Sequence, residues 1–79
     1  MAYFIPANGP VQAKIETPLT LTLFRAYVGD KIEFIELLSG DILIVNPEGQ
    51  QLNSNANGFI GSQGPVMGDA VLCTPEEIA

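Results

Sequence analysis

Histidine and tryptophan are absent from this chain, and Cys73 is its single cysteine. The lack of His removes the commonest general base and the commonest metal ligand. One cysteine allows neither an intramolecular disulfide nor a thiolate cluster for zinc. That usage fits a reducing cytoplasm. Cations are nearly as scarce. Lys14, Arg25 and Lys31 stand against nine Asp and Glu residues, for a formal charge of -6. Phosphate contact with duplex DNA or RNA needs several cations on one surface, so a duplex partner is not expected. The acids are scattered rather than clustered, which argues against mimicry of DNA. No Asp/Asn-rich loop has calcium-binding spacing. No uncharged apolar run approaches the roughly 18 residues of a membrane span. No basic stretch precedes an apolar one, so no signal peptide is expected.

The chain does have apolar residues in quantity, 47% over 79 positions, with 15% charged. That is too apolar for a disordered chain. The length fits one domain over residues 1–79 and leaves no room for separate catalytic and binding domains. Such a chain buries only about 60% of its unfolded surface. With no disulfide or metal to add stability, a homo-oligomer is expected.

Ala2-Tyr3-Phe4-Ile5 is apolar and β-prone, and Asn8-Gly9-Pro10 is a turn signal. Val11 to Glu16 alternates apolar with polar, so the two segments predict a hairpin. Thr17-Pro18 carries a helix-start signal. Leu19, Leu23, Ala26 and Tyr27 share a helical face, and Gly29 stands where a capping glycine would. A helix of about ten residues is expected there, although Leu19-Thr20-Leu21-Thr22-Leu23 also alternates like a strand. Lys31–Leu38 and Ile42–Asn46, joined by Ser39-Gly40-Asp41, predict a second hairpin. Residues 50–64, with Gln51, Asn53, Asn55 and Asn57, read as a long loop. Pro65–Cys73 predicts a last strand with Gly68 at a bulge. Thr74-Pro75-Glu76-Glu77 has the capping-box pattern for one closing turn. The sum is an α+β fold: about five short, mostly antiparallel strands with one helix packed on the sheet.

The ordered segments Tyr3–Gly9, Tyr27–Glu33, Val45–Gly49, Asn53–Asn57 and Gly64–Val71 resemble a small domain-of-unknown-function family common in phage, prophage and plasmid genomes. Its members carry a VGGxIE-like segment, a VNEEG-like turn, an Asn-rich stretch and a closing VGDxV strand. The resemblance covers nearly the whole chain. Asp30 stands where the pattern has a second Gly, and Pro47 where the turn has its first Glu. The resemblance implies a mobile-element accessory protein in a host bacterial cytoplasm. By analogy, small phage proteins of this size often disable host defence.

Cys73 lies in the run Ala70-Val71-Leu72-Cys73 and reads as a small buried hydrophobe; a nucleophile would want a His partner. Glu33 and Glu36 read as solvated charges on a strand rather than an acid–base pair. No enzymatic activity and no cofactor or metal are expected. The candidate ligand-binding residues are polar and uncharged, or cationic. Asn46 sits at a strand end, where it either forms a turn or holds a ligand. The amides of Asn53, Asn55 and Asn57 can read a base edge or a ribose hydroxyl without charge, or else belong to a solvated loop. Gly68, with Gly58 and Gly64, allows backbone N–H groups to approach a phosphate, or simply makes turns. Arg25 and Lys31 would be multiplied around a shared pocket in an oligomer, or are two solvated charges paired with acids. Tyr27 reads as core and Tyr3 as a stacking candidate.

The leading expectation is a non-enzymatic anti-defence protein that sequesters a nucleotide-type immune signal between subunits. The alternatives are a protein inhibitor of a host defence enzyme, with its acidic surface facing a basic one, and a structural or replication accessory protein without ligand.

Overall fold

The computed structural model describes residues 2–60 and 65–79. The architecture is α+β, as the sequence predicts. Strands β1 (Tyr3–Ile5), β2 (Gln12–Ala13), β3 (Glu33–Glu36), β4 (Ile42–Val45) and β5 (Ala70–Cys73) form one sheet in the order β2-β1-β5-β4-β3. Every neighbouring pair is antiparallel. Both expected hairpins are present, β1 with β2 and β3 with β4, and β5 joins them. The strand pairings are shorter than the apolar runs that predict them. In the segment 11–16 the ladder covers Gln12–Ala13, the Ile15 N–H adds one bond to the Ala2 carbonyl at 3.1 Å, and Lys14 between them takes a φ of 63°, outside the extended region.

Helix α1 spans Leu21–Val28, three residues later than Thr17-Pro18 predicts. Leu19 explains the delay. It is fully buried and extended, and it pairs with the C-terminal turn: its N–H donates to the Glu77 carbonyl at 2.7 Å, and its carbonyl accepts from the Ala79 N–H at 2.8 Å. The strand-like alternation therefore wins through Leu19, and Thr20 becomes the cap. Its hydroxyl accepts from the Leu23 N–H at 3.2 Å. Such a cap satisfies a donor that the first turn leaves unpaired. Gly29 ends the helix as expected, with φ 117° and its N–H on the Arg25 carbonyl at 3.0 Å. The buried face differs in detail from the expected one. Phe24 and Val28 are buried, Leu23 and Tyr27 half-buried, and Ala26 exposed.

Alternation along the strands divides the core in two. On one face Ile44, Val71 and Cys73 pack under α1 with Phe24 and Val28. On the other, Ile5, Leu43, Val45, Ala70 and Leu72 are covered by Ala56 and Val66. That second cover corrects the reading of 50–64 as loop: Ser54–Ile60 form helix α2. Asn53 starts it, its Oδ1 accepting from the Ala56 N–H at 2.9 Å. Gly64, considered above as a phosphate-approach glycine, lies outside the described residues. The last strand is also shorter than expected, because Met67 forms an isolated bridge with Leu52 and the ladder begins at Ala70. Pro75–Glu77 form a closing 3-10 turn, with the Glu77 carboxylate accepting from the Thr74 N–H at 2.8 Å.

Candidate functional site

Of the residues singled out in the sequence, Asn46, Asn53, Asn57 and Gly68 gather at one end of the sheet, where Ile5, Val45 and Ala70 meet. Asn53 lies at the centre. It is fully buried, and its Nδ2 donates to the carbonyls of Ile5 and Gly68, at 2.8 Å each. With Oδ1 on Ala56, both ends of the amide are engaged within the chain. Asn57, one turn on, accepts from the Val66 N–H through Oδ1 at 2.8 Å and donates to the Asn53 carbonyl at 2.7 Å. These two side chains hold the 65–68 segment against α2 in the manner of a strand partner. Gly68 completes the group, its N–H on the Gln51 carbonyl at 2.6 Å. Asn55 is exposed on α2.

Asn46 performs the matching task on the neighbouring strand end. Its Nδ2 donates to the Val28 carbonyl at 3.0 Å, and its Oδ1 accepts from the Glu48 N–H at 2.8 Å. One amide therefore ties the C-terminus of α1 to the turn after β4, and the Asx turn expected of Asn46 is formed. The turn lies so close to the 65–68 segment that a Cβ on Gly49 would run into the Met67 carbonyl. Lys31 forms a 3.2 Å ion pair with Glu48, both side chains about two-thirds exposed (65% and 64%). Arg25 is exposed in the last turn of α1, where a cation is favoured by the free carbonyls of the helix end. No contact joins it to Lys31 among the described residues.

Beside these groups is a cleft of about 280 Å³. Ile35, Val45 and Val66 line it with apolar surface, Met67 and Pro47 add to its walls, and Glu33 and Asn46 supply its polar side chains. Glu33 is opposite Val45 in the register, on the same sheet face as Ile35. Of the residues foreseen as ligand contacts, only Asn46 borders the cleft. Glu33 and Ile35 were missed as a pair, although their i, i+2 spacing in a strand places them on one face. Val66 and Met67 carried no such signal, because their position depends on Asn53 and Asn57.

Among the described residues no group of three His, Cys, Asp or Glu side chains is placed to hold a metal ion. Burial pushes the Cys73 thiol up to about 11, with the carboxylates of Glu77 and Asp41 adding to the effect. A thiol held protonated inside the core is a poor nucleophile. The cleft can therefore bind by apolar contact and by its carboxylate, and it favours a ligand that brings a positive charge. No helix among the described residues is long and apolar enough to cross a membrane. Comparison with family models, with curated proteins and with solved structures finds no match for this chain.

Proposed function

We infer that this chain is a non-enzymatic binding protein that engages a basic protein partner through the end of the sheet carrying the cleft. One observation carries the reading: the cleft pairs an apolar lining with the Glu33 carboxylate, and none of its described lining residues is a cation. A phosphate-bearing ligand would meet that carboxylate in a molecule whose net charge is -6. A basic protein surface would gain from both, in encounter rate and in orientation. The mobile-element setting implied by the resemblance makes a host defence enzyme the partner class, and inhibition by occupation the mode of action.

Sequestration of a nucleotide-type signal between subunits is the second reading. It draws on Arg25, an exposed cation with no ion pair among the described residues, which oligomer symmetry would multiply around a shared pocket.

Two measurements on the full chain separate these readings. The immobilised protein is exposed to host lysate at low and high salt, and the free protein is studied by native mass spectrometry with a pool of cyclic dinucleotides and cyclic ADP-ribose isomers. The expected result is a retained protein that elutes as salt rises and no nucleotide adduct. An oligomer carrying an unmodified nucleotide overturns the first reading in favour of the second. Neither retention nor adduct overturns both and leaves an accessory role without ligand.

A further inference from the structure

Resting on that protein-binding reading, we propose that the outer edge of β3 accepts an extended segment of the partner as an added strand. This segment carries the order basic, apolar, apolar, basic. β3 ends the sheet order, and among the described residues no strand pairs with its outer side. The direction of its backbone groups follows from the hairpin. Leu37 donates its N–H to the Asp41 carbonyl at 2.9 Å, continuing the register that pairs Glu36 with Ile42. In an antiparallel ladder, residues alternate in which side their backbone groups serve. Ile35 and Glu33 therefore bond toward β4, and the N–H and C=O groups of Phe34 and Glu36 point to the open side. That row is a template for strand addition.

The side chains specify what the template fits. Glu33 and Ile35 project on the cleft face, Phe34 and Glu36 on the face that carries α1. Residues directly opposite each other on paired strands share a face. A basic residue opposite Glu33 would stand at the mouth of the cleft, and an apolar one opposite Ile35 would extend the cleft lining. An apolar residue opposite Phe34 would cover a ring that is 49% exposed and rests edge-on against Phe24 at 5.6 Å. A basic residue opposite Glu36 completes the pattern, which reads the same in either strand direction. Charge complementarity selects this occupant over a second copy. Self-pairing would put the Glu33 and Glu36 carboxylates of two chains on one ribbon and join two bodies of charge -6, the arrangement by which edge strands resist self-association.

The test is amide hydrogen exchange of the full chain, residue by residue, with and without millimolar synthetic peptide Thr-Arg-Val-Val-Arg-Thr. The expected result is slowed exchange at Phe34 and Glu36, with Ile35 unchanged because its N–H already serves β4. Glu33→Lys and Glu36→Lys, both at exposed positions, should each weaken the peptide about tenfold while leaving thermal unfolding in place. A peptide with Glu in place of Arg should give no protection. Unchanged exchange at Phe34 and Glu36, or equal protection in both charge variants, overturns the edge proposal alone. The protein-binding reading is then still judged by retention from lysate. Protection that grows with protein concentration in the absence of peptide assigns the edge to a second copy and overturns the basic partner. A nucleotide adduct without a retained protein removes the underlying reading, and this proposal with it.

Discussion

Asn53 is bonded to Ile5 across 48 residues of sequence, amide to carbonyl at 2.8 Å in the buried core. The same Nδ2 reaches Gly68, so one side chain fastens α2, the end of β1 and the approach to β5 together. The residue read from sequence as a ligand contact has the geometry of an internal clamp.

Replacing it should therefore damage stability first. Asn53→Ala leaves the Ile5 and Gly68 carbonyls and the Ala56 N–H without their partner, at about 1–3 kcal/mol for a buried group left unsatisfied. The expected loss is about 3 kcal/mol, read as a lower urea midpoint at constant slope. A midpoint equal to that of the parent chain would return Asn53 to the list of free ligand contacts.

Two glycines should respond in opposite directions to the same change. Gly49→Ala drives a methyl into the Met67 carbonyl, and overpacking of this kind costs about 1–3 kcal/mol. Gly58 lies in α2 with open space around it, so Gly58→Ala should stabilise by about 0.5–1 kcal/mol through helix propensity. Thermal midpoints of the two variants measure the contrast. Equal shifts would mean that the close approach at Gly49 is not tight in solution.

The Cys73 thiol should be inert in the folded chain and reactive on unfolding. Its ordinary value of 9.0 is raised by burial to about 11. Since the folded form prefers the neutral thiol, the unfolded chain ionises first as pH rises. Stability should be unaffected by this group below about pH 9 and fall between pH 9 and 11. Cys73→Ala should flatten that decline. Labelling with a thiol reagent at pH 8 should follow unfolding, and rapid labelling of native protein would contradict the burial.

Glu77 sets the acid side. The Thr74 N–H that donates to its carboxylate holds it below the usual range, and the Thr74 hydroxyl adds to this. The ionised carboxylate thus supports the C-terminal turn above the unfolded glutamate value and loses that role as pH falls through the lowered folded value. Protection of the Leu19 and Ala79 amides, measured against the intrinsic exchange rate at each pH, should fall in acid, since both pair across this turn. Glu77→Gln should lower the protection of the same amides at neutral pH and remove the pH dependence of that protection.

The parts of this fold that the sequence discloses are those with local causes. The strand pairs follow from alternation, and Gly29 and Thr74 mark element ends because caps act within a few residues. Helix α2 escapes because Ser, Asn and Gly make up most of it, and it is held by a clamp to Ile5 that no window of neighbouring residues contains. The start of α1 escapes for a related reason. Leu19 is drawn out of the helix by Glu77 and Ala79, about sixty residues ahead in the chain. The cleft is legible only in its β3 half, where Glu33 and Ile35 share a face. Its other half is positioned by Asn53 and Asn57, which read as loop residues until their partners are known.

The sheet order also determines when the molecule can exist during its own synthesis. β5 lies in the middle of the sheet yet is translated last of the five strands. Until Ala70–Cys73 leave the ribosome, the two hairpins have nothing to bond between them, and Ile5, Leu43 and Ile44 face no central strand. Local pairs form early and long-range ones late, because loop closure precedes the gain from contact. Nascent chains arrested before residue 70 should hold two separate hairpins with exposed apolar faces, open to proteases and to chaperones alike. Emergence of residues 70–79 then closes the sheet in one step.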